Sequence, residues 1–505
     1  MFKTQELSRK TRMQWLAFVL LTAVMYQVIF LAWVTEGFQA FTYTLDDPYI
    51  HLKLAKNIAS GHYGFNLSEN SAPSSSIVWP FLLAPFAHTY FFEYVPFVFN
   101  SVLILCFVAV VFDLLVNFQI RPAVSYTISI LLLFFINGFG LALNGLEHVL
   151  QLLLVALIFK QFAEIVERRQ ESFGQLVGLL TFAIMIRYEM LVFWAAAVAF
   201  YLTKRDPKKI CIVTLFPLFP AVAFSFFLKW IGLGFLPSSV MAKTASDTSF
   251  LLTVLSTFHA NATSRQGLGI LLLTIINVLL ARKTHRLSWA SVTVLVIPSV
   301  LHLLVGKFGW FFRYEVYILV YVILFFISLL SVSNLSRWRY ILSFAFLCWL
   351  CEPYIFSLSK LHQASRNIRF QQGVTAEFMD KYLKEPVGLN DIGLPGLRYK
   401  YEVLDLWGLA SQDALRKRLS SRDFDWISDI ANEKGVDILF IYESWLQPSA
   451  EWKKVGEFIL LEKNVVLGGD VVSVFTREEK ISKLKNDLIS FKGELGNLPV
   501  EVKIY

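Results

Sequence analysis

The sequence predicts a polytopic α-helical membrane protein carrying a soluble α/β domain at its C-terminal end. Three observations lead there. Of 505 residues, 56% are hydrophobic and only 17% charged, with a mean hydropathy of +0.56. A soluble globular domain carries about 25% charge. Apolar stretches long enough to cross a bilayer as helices recur up to about residue 360. Beyond that point the texture changes to mixed charge, turn residues and short apolar runs.

The first apolar stretch runs from Trp15 to Val34 behind Lys3, Arg9, Lys10 and Arg12. A secretory signal has a similar charged start, but its apolar core is only about 7–15 residues and ends at a small-x-small site. This run is longer and lacks such a site, so a retained helix is expected. Further spans are expected at 94–117, 123–141, 145–165, 174–187, 189–203, 210–231, 266–281, 288–306, 311–331 and 339–359, about eleven in all.

The net charge of +8 and pI near 9.1 would suit nucleic acid if the cations formed one patch. They instead gather between spans: Lys160/Arg168/Arg169, Lys204/Arg205/Lys208/Lys209, Arg282/Lys283/Arg286 and Arg337/Arg339. That is the positive-inside pattern of a multi-pass membrane protein, and no nucleic-acid partner is expected. Charge parity then puts the N-terminus in the cytoplasm. The apolar segment 77–88 breaks this parity if counted as a crossing. With Pro80 and Pro85 in a dozen residues, it reads as interfacial or re-entrant. The loop 36–93 and the C-terminal domain 361–505 are thereby expected outside the cytoplasm.

Within that domain, VDILFIY (436–442), FILLE (458–462) and VVSVF (471–475) read as strands, and 423–435 as a helix ending at Gly435. The four cysteines, Cys106, Cys211, Cys348 and Cys351, fall in expected spans and read as buried small side chains. The domain itself therefore needs no disulfide framework.

Chemistry is expected first at Asp46 and Asp47, just past the first span. Pro48 favours the first helical position, so Asp47 is expected to cap an amphipathic helix that lies in the interface and stops at Gly61. Asp46 then has no capping duty and is the preferred reactive carboxylate. Other charges interrupt lipid-length stretches: Glu147, the Arg187/Glu189 pair, and Arg313/Glu315. Intramembrane charges are functional candidates, although Arg–Glu pairs can also be structural locks. Arg187 and Arg313, together with Lys243, suit an anionic head group such as phosphate. His51, His62 and His148 match no metal-ligand spacing, and no P-loop or dinucleotide fingerprint is present.

These residues sit in a series of short motifs. DDPYIHLKLAKNIASGHYGFN and SAPSSSIVWPFLL are followed by NGLEHVLQLLL (144–154), MIRYEML (185–191), LPSSVMAKT (236–244), WFFRYEVYIL (310–319) and LNDIGLPGLRYKYEVLDLWGLAS (389–411). In this order they resemble the GT-C glycosyltransferases, most closely the cell-wall arabinofuranosyltransferase type, over most of the chain. Tyr188 stands where that family often has Pro, and Asn70–Ser74 replace its usual Glu-Gly-Tyr.

The resemblance implies an inverting transferase in a bacterial plasma membrane. It would move a sugar, of which a pentofuranose is the nearest match, from a polyprenyl phosphate carrier to a glycan, glycolipid or protein acceptor. Asp46 and Asp47 take the catalytic positions. Arg187, Lys243 and Arg313 would hold the donor phosphate, with Tyr49, Glu147, Glu189, Glu315 and Asp391 in support. Membrane lipid is the implied surroundings. No cofactor is required by this chemistry, and a divalent metal is left open. A transporter or flippase of a lipid-linked or anionic substrate is the alternative, and a membrane sensor with an outer binding domain is a third. The absence of an internal repeat weighs against the transporter.

Overall fold

The computed structural model describes residues 8–166, 172–244, 250–333, 335–421 and 423–505. Arg168 and Arg169 of one basic cluster lie outside them. The chain forms two compact units. One comprises Met1–Leu31, Phe97–Ala223 and Ser246–Ser359; the other comprises Ala32–Pro96, Phe224–Ala245 and Lys360–Tyr505.

The first unit is helical. Every apolar stretch expected to span carries helix, but among the described residues five helices have the length and composition to cross a membrane. These are Arg9–Val34, Phe92–Asn117, Pro207–Trp230, Arg265–Lys283 and Arg337–Leu358. Pro122–Phe135, Phe173–Ile186, Ser291–Val305 and Val316–Val332 are apolar but shorter. The expected runs are therefore not all carried by span-length helices, because several of them are cut by polar breaks. Asn137, at φ 54°, ends one at Phe135. Arg187, in extended geometry, ends another at Ile186, and a single 3₁₀ turn precedes Leu191–Lys204.

Burial separates the helices by role. The Val316–Val332 helix is buried without interruption from Val316 to Phe326 and forms the core of this unit. Arg9–Val34 instead exposes Phe18, Leu21, Met25 and Ile29. A run of exposed large apolar side chains is expensive in water and natural in lipid. Only Cys351 among the cysteines is buried; Cys106 and Cys211 are exposed, contrary to expectation, because they fall on outward helix faces.

The second unit is built on a six-stranded sheet in the order β2-β1-β3-β5-β4-β6. The strands are β1 (Val387–Leu389), β2 (Val403–Asp405), β3 (Ile438–Ile441), β4 (Lys453–Leu460), β5 (Val471–Thr476) and β6 (Val500–Ile504). β1 pairs with β2 and β3 in parallel, and the remaining pairs are antiparallel. Alternation along β3 sends Ile438 and Phe440 into one core and Leu439 and Ile441 into the other. The helix Trp426–Lys434 stops at Gly435, whose φ of 64° suits glycine.

This unit is larger than the 361–505 segment expected from sequence. Ile50 and Phe65, from the loop after the first span, belong to the same core as Phe378, Phe458 and Phe491. The Asp47–Ala59 helix is packed into the protein on more than one apolar face. Pro48, Tyr49, Ile50, His51, Leu52, Leu54, Ala55 and Asn57 are all buried, which covers most of its circumference. Segment 77–88 folds as a five-residue helix, Trp79–Leu83, and a 3₁₀ turn, too short to cross a bilayer.

Candidate functional site

Asp46 and Asp391, far apart in sequence, meet in the sheet-bearing unit. Asp46 occupies the position before the Asp47–Ala59 helix, but its side chain caps nothing there. Its Oδ2 accepts the Gly393 amide at 2.7 Å and its Oδ1 the Leu394 amide at 2.7 Å. Those amides open the short Gly393–Arg398 helix that follows β1. The expected division of labour differs. Asp46, not Asp47, holds the N-cap position and carries a backbone-binding duty toward a distant segment, while Asp47 sits in the first helical turn, partly exposed. The reason is tertiary, since the amides Asp46 satisfies come from a segment nearly 350 residues later. Gly393 is required by proximity: a Cβ there would lie 2.2 Å from Asp46 Oδ2.

The Asp46 and Asp391 carboxyls lie close enough to influence each other's proton affinity. Burial raises the affinity of both for a proton. Asp391 is raised the more, by burial and then by the negative charge of Asp46. Asp46 is held back by Asp391 and by the two amides, all of which stabilise its ionised form. Both carboxyls thus hold a proton more tightly than a free aspartate, Asp391 the more so, and Asp47 contributes in the same direction.

A polar shell fixes Asp391. Gln372 Nε2 donates to its Oδ2 at 2.9 Å and to the Tyr442 hydroxyl at 3.0 Å. Tyr442 in turn donates to Gln371 Oε1 at 2.6 Å, and Gln371 Nε2 donates to the Gly469 carbonyl at 2.8 Å. Consecutive glutamines serve one site because Ile368–Gln372 is a π-helical turn between two α-helical segments. Such turns are common at functional sites. Nothing in the sequence reading pointed to Gln371, Gln372 or Tyr442; the Gln-Gln doublet carries no periodic or motif signal.

Two further features lock the frame. Asp405 ends β2 and accepts the amides of Trp407 at 2.9 Å, Gly408 at 3.1 Å and Ala410 at 2.6 Å. Burial pushes its carboxyl up to about 6 despite those donors. At Gly408, with φ 87°, a Cβ would lie 2.6 Å from Leu415 Cα, so no side chain is admitted. At the outer edge of the sheet, the Asn66 side chain donates to the Val403 carbonyl at 2.9 Å and accepts the Val403 amide at 3.1 Å. It thus replaces a missing strand neighbour of β2.

Other residues singled out by sequence take varied places. Tyr49 is buried, and its hydroxyl accepts the Tyr43 amide at 3.0 Å. Burial holds this phenol above its ordinary range, so it stays neutral. Lys53 stands 5.9 Å from the centre of the Phe65 ring, and burial lowers its ammonium to about 8. His51 and His62 are ordinary hydrogen-bonding histidines, facing Ser74 Oγ at 3.4 Å and the Glu69 carbonyl at 3.0 Å. Lys243 belongs to the Ser238–Thr244 helix, but its side chain lies outside the described residues.

In the helical unit, Arg187 is fully engaged. Its Nη1 donates to Glu147 at 2.6 Å, and its Nε and Nη2 form a fork on Glu189 at 3.1 and 2.7 Å. Both Arg187 and Glu147 are buried. Arg313 donates to the Tyr314 hydroxyl at 3.0 Å and lies 5.0 Å from that ring. The lock expected between Arg313 and Glu315 takes another form: the Glu315 oxygens accept the Gly309 amide and the Tyr354 hydroxyl, each at 3.0 Å.

Residues 365–475 match a family described as a domain of unknown function (DUF8728). That match takes in Gln371, Gln372, Asp391, Asp405 and Tyr442, but not Asp46. No curated protein matches the chain.

Proposed function

We propose that this protein is an inverting glycosyltransferase of the bacterial plasma membrane that uses a polyprenyl-phosphate-linked sugar. The observation carrying the reading is the Asp46–Asp391 pair, a buried and a half-buried carboxyl brought together from distant segments, both with raised proton affinity. Buried acid pairs with raised proton affinity are costly to a fold and concentrate where proton transfer is needed. In the proposed step the acceptor hydroxyl gives its proton to Asp46 as its oxygen bonds to the anomeric carbon. The bond from that carbon to the phosphate oxygen breaks, and polyprenyl phosphate leaves with the electron pair. Phosphate leaves without prior protonation, so no separate acid is called for, unlike a glycosidase.

Among the proposed phosphate ligands, Arg187 is the weakest, because Glu147 and Glu189 already fill its donor fork. For Lys243 and Arg313 the role rests on the motif resemblance alone. The motif order supports a pentofuranosyl donor, with an extracytoplasmic glycan, glycolipid or protein as acceptor. The test is release of polyprenyl phosphate from a synthetic polyprenyl-phosphoryl pentofuranose by the purified protein, with transfer read by mass spectrometry of surface glycans with and without it. A protein that moves the intact lipid-linked sugar across vesicles and never cleaves it is a transporter, and the reading fails.

A further inference from the structure

Two basic clusters that are far apart in sequence converge inside the helical unit. Lys283 ends the Arg265–Lys283 helix and Arg339 lies in the first turn of Arg337–Leu358. Both line one cavity of about 330 Å³, together with the C-terminal part of Val316–Val332. Its remaining walls are almost wholly apolar, among them Leu279, Phe326 and Leu342. Phe326, Leu330 and Ser343 also line a second apolar cavity of about 240 Å³ that runs on along Pro122–Phe135. The two cavities thus adjoin across these residues: cations line one, and an almost wholly apolar trough lies beside it.

We infer that this groove binds an anionic phospholipid, with the phosphate held by Lys283 and Arg339 and an acyl chain in the trough. The chemistry follows from the lining. Both cations are exposed, so a phosphate can reach them without first breaking a buried ion pair. An apolar helix from a second copy would fill the trough but leave two ammonium-type charges against hydrocarbon. A free anion would meet the cations and leave the trough empty. An amphiphile with one negative head satisfies both halves. Charge parity along the sequence puts these two clusters on the same membrane side, where basic pockets between helices take phospholipid head groups.

The test uses the full-length protein in detergent, titrated with phosphatidylglycerol or phosphatidylcholine of identical acyl chains and read by native mass spectrometry. Wild type should retain phosphatidylglycerol preferentially. The Lys283→Gln/Arg339→Gln double variant should lose that preference by roughly 25-fold, about fivefold per cation. Lys204→Gln/Lys208→Gln, in a different cluster, should keep it. Equal retention of both lipids by wild type overturns the site, as does equal loss in the two double variants, which would mean general surface charge. Preference that survives Lys283→Gln/Arg339→Gln also overturns it. Because both substituted side chains are exposed, melting temperature should not move.

Discussion

Arg187 in the helical unit and Asp46 in the sheet-bearing unit are both buried charges, and they are compensated in different ways. Arg187 faces two carboxylates, Glu147 and Glu189, through three directed hydrogen bonds. Asp46 faces a second acid, and its other partners are backbone amides. Opposite charges at contact distance satisfy each other and have little tendency to do anything else. Two neighbouring acids with raised proton affinity remain responsive to any change in proton demand. On the proposed reading, the difference separates a charge that holds helices in place from one that does acid–base work.

The sharpest way to break this comparison is to neutralise Asp46. Asp46→Asn should lower transfer by about 10²–10⁴-fold, the usual worth of a positioned base. It should also loosen the Gly393 turn, since an amide nitrogen would face a backbone N–H. Gly393→Ala should act in the same direction by pushing on the carboxylate from the other side. Near wild-type turnover in purified Asp46→Asn would remove the base and move attention to Asp47.

Arg187→Lys is the matching test in the other unit. The charge stays, but the fork on Glu189 and the bond to Glu147 cannot all be kept. Stability should fall by about 2 kcal/mol, below the roughly 3–5 kcal/mol of removing a buried partner outright. Donor affinity should hardly change. A donor-binding defect at constant melting temperature would make Arg187 a ligand and erase the contrast.

Asp405 sharpens the comparison from within the sheet-bearing unit, because it is a buried acid with amide partners and no second acid in contact. Asp405→Asn should cost about 1–3 kcal/mol through donors left unpaired in the 407–410 turn. The wild-type residue also makes stability depend on pH. Its folded proton affinity, about 6, lies above the ordinary 3.8, so the folded state keeps a proton that the unfolded chain releases. Stability should therefore fall as pH rises from near 4 to near 6, and level off above. Melting curves across that range should show the slope in wild type and a shallower one in Asp405→Asn.

The legible and illegible parts of the molecule divide along the same physical line. Helices of the membrane unit announce themselves through apolar composition, and β3, β4, β5 and Trp426–Lys434 through local pattern and a terminal glycine. β1 and β2 did not, because three-residue strands buried on both faces leave no period to read. Asp46 was found for its place after a span, and Asp391 was named in support through the motif resemblance, but that the two meet was hidden. Gly393, Leu394 and Asp391 reach Asp46 only by tertiary folding, and the glutamine pair depends on a π turn that no propensity encodes. The lock at Arg187 was half legible: Glu189 is two residues away, whereas Glu147 lies on another helix end.

Tyr49→Phe tests the smallest of these distinctions. Tyr49 sits in the same motif as Asp46 and Asp47, three residues from the proposed base, so a role in the chemistry is a natural guess. Its hydroxyl, however, accepts the Tyr43 amide, and burial keeps the phenol neutral. Removing the oxygen leaves one buried N–H without that acceptor, which costs about 1 kcal/mol. The ring still packs in edge contact with Tyr43 at 5.5 Å, so the helix should keep its place. Turnover should stay within about twofold of wild type, since 1 kcal/mol spent on folding alone does not enter the barrier of an already folded enzyme. A tenfold loss of turnover without a change in melting temperature would mean that the hydroxyl contributes to the reaction, and that the motif is a working unit extending beyond its two acids.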